Sequence, residues 1–336
     1  MKAYITRLYG YTEGVASLRQ QTVADFAQEV NILPISLFKF SAENEPDAQL
    51  SSRLDGIMSS ITWGDTVIVQ TPIEMSKNYV DMFLDKLTTL RAVMGVKIVA
   101  FIHEVKDYLI DFYNNCDSLI VENESVLNYL KNHGLTNNTV EIFNFYDFAP
   151  RLVTEKVHFT GNKKANFQVS INYLNSTNSD QYFDQMRNQA TNFLVYQNQG
   201  FVDDGSLQYA GDFDDDLLSY KLNKEGGFGL VMPPEKIDTV PFELSMFISA
   251  GLPVIALSGT AAGNLVINKK IGWVVNSIEE AANRLPATLD VEYEQLLTNV
   301  EQMVQDTRNG ISIKNALIRS VFDANLPKIS KAGEQI

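Results

Sequence analysis

Between residues 3 and 145 short apolar runs alternate with amphipathic stretches, and few folds tolerate that alternation. AYITRLYG (3–10) ends in a glycine, and Ser17 to Val30 then places Leu18, Val23, Phe26 and Val30 near one helical face. The series continues with TVIVQTP (66–72), a helix with Tyr79, Phe83, Leu87 and Leu90 at spacings of four, four and three, and VKIVAFI (96–102). DSLIVEN (117–123), the helix ESVLNYLKNHG closed by Gly134, and TVEIFNF (139–145) complete it. Strands separated by helices can return in the same direction and pair in parallel, so the pattern predicts a doubly wound parallel sheet.

The periodicity breaks at NFYDFAPRLVTEKVHFTGNKK, where a strand end, a proline and a basic turn coincide. A boundary at residues 147–157 is expected there, separating an N-terminal unit, 1–150, from a C-terminal unit, 151–336. The second unit repeats the theme. NFQVSI, NFLVYQ, LQYAG, GFGLVM, PVIAL and GWVV are its strand candidates, with helical stretches at 180–190, 214–221, 241–250, 261–268, 277–283 and 292–324. The expected fold class is α/β, two Rossmann-like doubly wound domains facing a cleft, with ligands at the carboxyl ends of the strands. Two domains also suit a length of 336 residues.

Composition narrows the function. A formal net charge of −14 argues against broad nucleic-acid binding, which needs lysines and arginines to neutralise phosphates. The single cysteine, Cys116, excludes an intramolecular disulfide, and His103, His133 and His158 are too far apart in sequence to form a Cys/His metal pattern. The start MKAYITRLYG lacks the apolar core of a signal peptide, and no apolar run reaches the length of a membrane-spanning helix. A cytoplasmic location is expected, with peripheral attachment to a membrane left open.

Several residues could carry chemistry. FIHEV puts His103 and Glu104 just after a buried strand, where a near-neutral imidazole can act on a hydroxyl; a histidine merely satisfied at a strand end is the bland alternative. GYTEG (10–14) is either a glycine turn or a loop approached by a ligand. Asp212 and Asp214 have the D-x-D spacing of metal-dependent sugar transferases, but they precede an amphipathic helix and read better as its cap. Lys163 and Lys164, beside Gly161 and Asn162, either meet a diphosphate or form a solvated turn. No G-x-G-x-x-G or P-loop motif is present.

CDSLIVENESVLNYLKNHGL and PFELSMFISAGLPVIALSGTAAGNLVINKKIGWVVNSIEEAANRL together resemble nucleotide-sugar-dependent glycosyltransferases of the GT-B type. More narrowly, LSSRLDGI, GDTVIVQTP, GVKIVAFIHE, HFTGN and GGFGLV resemble the bacterial glucosyltransferases that extend O-linked N-acetylglucosamine on serine-rich repeat adhesins, relatives often labelled β-1,6-galactofuranosyltransferases. The resemblance implies metal-independent, retaining hexosyl transfer from a UDP-sugar, with no cofactor and with self-association to dimers or tetramers. It implies a donor site on the C-terminal unit, at Gly161, Asn162, Lys163, Lys164, Tyr196, Asn198, Pro241, Phe242, Glu243, Ser258, Gly259 and Thr260. The acceptor, a glycan or glycosylated serine-rich protein, falls near Gly14, Val15, Ala16 and Ser17, with His103, Glu104 and Glu243 as the candidate catalytic groups.

One departure stands out. Where such enzymes carry a phosphate-binding lysine eight residues before the glycine of A-G-x-P-V, this chain has Glu243. A carboxylate at a helix start opposes a diphosphate. Two readings therefore stand: a working transferase that finds its positive charge elsewhere, and a catalytically degenerate homologue acting as an accessory or glycoprotein-binding subunit.

Overall fold

The computed structural model describes residues 1–10, 14–39, 45–150, 152, 164–168, 179–189, 193–196, 207–234 and 237–326. The first sheet contains β1 (Ala3–Gly10), β2 (Ile32–Lys39), β3 (Thr66–Thr71), β4 (Lys97–Ile102), β5 (Ser118–Val121) and β6 (Val140–Ile142). Its order is β2-β1-β3-β4-β5-β6 and every pairing is parallel. The order reverses between β1 and β3. β3 is buried along its whole length, because helices cover both faces of a parallel sheet.

β2 and the helices Asp47–Met58 and Ile110–Asn115 were not anticipated from the sequence. β2 contains a proline, Pro34, and exposes Leu33 and Phe38, as an edge strand can, so its alternation is blurred. The other helices follow their sequence signals. Ser76 accepts a hydrogen bond from the Tyr79 amide to start Lys77–Met94, which ends at Gly95 in the left-handed region; Asn123 caps Glu124–Asn132 through the Val126 amide at 3.0 Å.

The second sheet holds the six strands expected: β7 (Ala165–Gln168), β8 (Phe193–Tyr196), β9 (Leu207–Gly211), β10 (Phe228–Leu230), β11 (Val254–Leu257) and β12 (Gly272–Val275). Its order is β12-β11-β10-β7-β8-β9, again all parallel, with the reversal between β7 and β10. Glycines let its layers close up. A Cβ on Gly229 would lie 2.1 Å from the Phe247 ring, so the helix Phe242–Ser249 can rest directly on β10 only because that position is bare.

The C-terminal stretch is two helices, Asp290–Arg308 and Ile311–Asn325, divided where Gly310 takes φ +66°. After this break the chain crosses back. Ile311–Asn325 packs on β4, β5 and β6 and on the helix Gly14–Glu29 of the first unit. Asp147 accepts from the Ile313 amide at 2.8 Å, Lys314 pairs with Glu29 at 2.6 Å and Arg319 with Glu141 at 3.1 Å. One apolar cluster runs through the seam, drawing Val23, Phe26, Ile68 and Phe143 from the first unit and Leu218, Phe247, Val254 and Leu317 from the rest.

Candidate active site in the interdomain cleft

The carboxyl ends of β3, β4 and β5 bring together groups far apart in sequence. His103, one residue past β4, is buried. Its Nε2 lies 2.7 Å from Gln70 Oε1 and its Nδ1 2.9 Å from the Tyr146 hydroxyl. Gln70 donates its amide hydrogens to the Thr6 and Gln20 carbonyls at 2.6 and 3.1 Å, which turns its oxygen towards His103. The imidazole must therefore donate from Nε2 and accept the Tyr146 O–H at Nδ1. Burial, reinforced by the charge of Arg19, holds the ring well below the usual histidine range, so it is neutral at physiological pH. With both nitrogens engaged, this arrangement leaves no lone pair to take a proton from an acceptor hydroxyl.

Arg19, on Gly14–Glu29, lies over the rings of Tyr146 and Phe242, with its guanidinium carbon 5.0 and 5.6 Å from the two centroids. Glu122, one residue past β5, accepts from the Val240 amide, and Asn123 donates to the Asp238 carbonyl at 3.0 Å. Asp238 in turn accepts from the Ala261 amide at 2.8 Å. These bonds join the two units across the seam. Burial pushes the Glu122 carboxyl up to about 7, against the opposing pull of Arg19 and the Val240 N–H.

A raised carboxyl pKa means that the fold prefers the protonated acid. The cost is absent below the unfolded value near 4.5, grows as pH rises and is complete above about 7. At 1.36 kcal/mol per unit, the shift corresponds to about 3 kcal/mol. Glu122→Gln is therefore expected to gain stability relative to the parent by up to this amount between pH 4.5 and 7.5, read by denaturant melts. A pH-independent difference would contradict the assignment.

On the C-terminal side, Pro241 precedes Phe242–Ser249 without a side-chain cap, and Glu243 is 5% exposed in the helix's first turn. Ser258 donates to Asn276 Oδ1 at 2.8 Å, and Gly259 takes φ +73° with open space around it. Thr260 caps Ala261–Lys269, accepting from the Gly263 amide at 3.0 Å and donating to the Leu257 carbonyl at 2.8 Å. Tyr196, at the end of β8, donates to Asn166 Oδ1 at 3.2 Å.

Other expected positions lie apart from this group. Glu104 is exposed and pairs with Lys106 at 2.7 Å. Lys164 is held by Glu225 at 2.5 Å, and Lys221 shares that carboxylate at 2.9 Å; both cations draw the Glu225 acid below its usual range. Asp214 caps Asp215–Glu225 through the Leu217 amide at 2.8 Å, the structural role its position suggested. No group of His, Cys, Asp and Glu suited to a metal occurs among the described residues. Ser17 is buried and accepts from Gln21 Nε2 at 3.1 Å. Gly14, Val15 and Ala16 begin the same helix, with side chains outside the described set, and Gly161, Asn162, Lys163 and Asn198 lie outside the described residues altogether.

Sequence reasoning missed Arg19, Gln70, Glu122, Tyr146 and Asp238. For Glu122 a signal existed: like His103, it directly follows a buried parallel strand. A cavity of about 600 Å³ also opens along the seam, lined in part by Glu124, Asp147, Asp238, Asp306 and the single cation Lys269. Its acidic lining is unsuited to a diphosphate.

Comparison with known proteins agrees with this architecture. Residues 2–142 match the "Glucosyltransferase 3-like, N-terminal domain" and residues 171–320 the "Glucosyltransferase 3-like, C-terminal domain". Glucosyltransferase 3 of Streptococcus parasanguinis is 26% identical, over 96% of this chain and 99% of its own length; that of Streptococcus gordonii is 27% identical over the same shares. Among solved structures, sucrose-phosphate synthase from Thermosynechococcus elongatus superposes with a TM-score of 0.66 at 12% identity, covering 96% of this chain and all of that one. The two parallel six-stranded sheets are those of GT-B glycosyltransferases. With both family domains present in order, the chain belongs to the glucosyltransferase 3-like family of glycosyltransferases.

Proposed function

We propose that this chain moves a hexose, glucose or galactose, from a UDP-sugar to a hydroxyl of a glycan or glycosylated protein, with retention at the anomeric carbon and without a metal. The observation that carries the reading is the uncapped start of Phe242–Ser249 facing, across the seam, the cluster of Arg19, His103 and Tyr146. Amide N–H groups at a helix start and a nearby cation are what a departing diphosphate needs. The sugar C1–O bond breaks with its electron pair passing to the diphosphate. The acceptor oxygen bonds C1, and its proton passes to the departing phosphate oxygen.

In this reading Ser258, Gly259 and Thr260 present backbone to the donor, and the segment holding Gly161, Asn162, Lys163 and Lys164, with Tyr196 and Asn198, borders it. Glu243 accepts from a ribose or sugar hydroxyl. Gly14, Val15, Ala16 and Ser17 border the acceptor. His103, neutral and tethered at both nitrogens, is a positioning residue that fixes Tyr146 and the cleft floor.

Calorimetric titration of the full chain with UDP, UDP-glucose and UDP-galactose, with and without Mg²⁺, tests the proposal. Binding of UDP and of one UDP-sugar without metal is expected. Silence towards all three would favour the accessory-subunit reading, which the replacement of lysine by Glu243 and the capture of Lys164 by Glu225 support. Binding that appears only with Mg²⁺ would overturn the metal-free mechanism.

A further inference from the structure

We infer that Arg19 is the cation that receives the donor's diphosphate, supplied by the N-terminal unit in place of the positive charge that Glu243 removes from the opposite wall. The inference rests on the nucleotide-sugar reading above and deepens it.

Guanidinium carries five N–H donors, and Arg19 makes no hydrogen bond and no ion pair with any described residue. Its Nε is shut off from solvent without a partner. A buried donor left unsatisfied is uncommon in a folded protein and often marks a place where something else supplies the acceptor. Other arginines show the contrast: Arg308 donates twice to the Ser249 carbonyl, Arg284 meets Glu292 at 2.7 Å and Arg319 meets Glu141 at 3.1 Å.

Arg19 is nevertheless well placed. The Tyr146 and Phe242 rings, one from each unit, hold the guanidinium carbon at 5.0 and 5.6 Å from their centroids. Phe242 is the first residue of the helix whose start lacks a side-chain cap, so the cation stands beside the amide groups that would share an anion. A planar fork presents two N–H donors in fixed geometry to two phosphate oxygens, where an ammonium acts as a point charge. Glu122, whose carboxyl feels the charge of Arg19, spends its hydrogen bond on Val240 and makes none to Arg19. Of the two cations read from the sequence, Lys163 lies outside the described residues and Lys164 is already committed to Glu225.

The test compares UDP with uridine, which differ by the diphosphate alone, on the full-length parent and on Arg19→Met, which keeps the apolar stem between the two rings. The parent should bind UDP more tightly than uridine. Arg19→Met should weaken UDP by roughly 10- to 100-fold, the usual worth of charge-assisted hydrogen bonds, and change uridine by less than about threefold. Glu243→Lys added to Arg19→Met should restore UDP affinity in part, because it returns a cation to the opposite wall. UDP affinity unchanged in Arg19→Met overturns the inference, as does an equal loss for uridine, which would mark a merely structural residue. A parent that binds neither UDP nor uridine overturns the nucleotide-sugar reading itself. Should Arg19→Met lose its cooperative melt, Arg19→Gln carries the same comparison.

Discussion

Gly272→Ala is expected to lose at least about 4 kcal/mol of stability, enough to unfold much of the C-terminal unit. Gly272 faces Val254 across the β11–β12 pair, and a Cβ there would stand 1.8 Å from the Val254 carbonyl oxygen and 2.7 Å from its carbon and nitrogen. These are backbone atoms, unable to swing aside, so the strands must part. β12 carries buried Trp273 and Val275, and Trp273 is stacked under Arg284 at 4.3 Å and donates to Glu292 at 3.2 Å, so separation also frees the helices beyond it. Gly56→Ala is the control. Gly56 lies inside Asp47–Met58 with nothing within 4 Å of an added Cβ, and alanine there should add about 0.5–1 kcal/mol. Urea melts of both variants decide the matter; a Gly272→Ala protein melting like the parent would refute the close approach of β12.

His103→Leu should cost about 2–6 kcal/mol and lower glycosyl transfer by roughly 100-fold. The substitution strands two buried groups, the Gln70 Oε1 and the Tyr146 hydroxyl, each worth about 1–3 kcal/mol when left unpaired. The rate falls because Tyr146, on which Arg19 rests, loses its anchor, and a displacement of about 1 Å at a reacting centre costs about 10²-fold. His103→Gln, which can still donate to one partner and accept from the other, should recover part of both losses. Because the wild-type ring stays neutral, the rate should show no histidine titration near pH 6.5. A profile that follows such a group, with His103→Leu melting normally, would instead make His103 the acid–base residue.

Much of the architecture was legible because it depends on local pattern. All six strands of the second sheet, the cap at Asp214 and the glycine stop at Gly134 follow from periodicity and turn chemistry. β2 escaped notice because an edge strand with a proline alternates weakly, and the last helical stretch was read through Gly310 because helical periodicity resumes after it.

The site was less legible. That His103 stands just past the end of a buried strand could be read from its place after an apolar run; that it is neutral and tethered could not, since Gln70 and Tyr146 are 33 and 43 residues away. Lys164 looked available for a phosphate until a carboxylate 61 residues along the chain closed on it. Arg19 sits among polar residues on a helix and carries no local sign of its role.

The sequence by itself determined the two parallel α/β units, because strand and helix periods and capping residues act over a few neighbouring positions. Only the tertiary structure decided which cation faces the start of Phe242–Ser249, which histidine nitrogen carries the proton and how the last helix returns to the first unit. Those outcomes depend on burial and on partners brought together by packing, and charge and hydrogen-bond energies are set by distance in space rather than by separation along the chain.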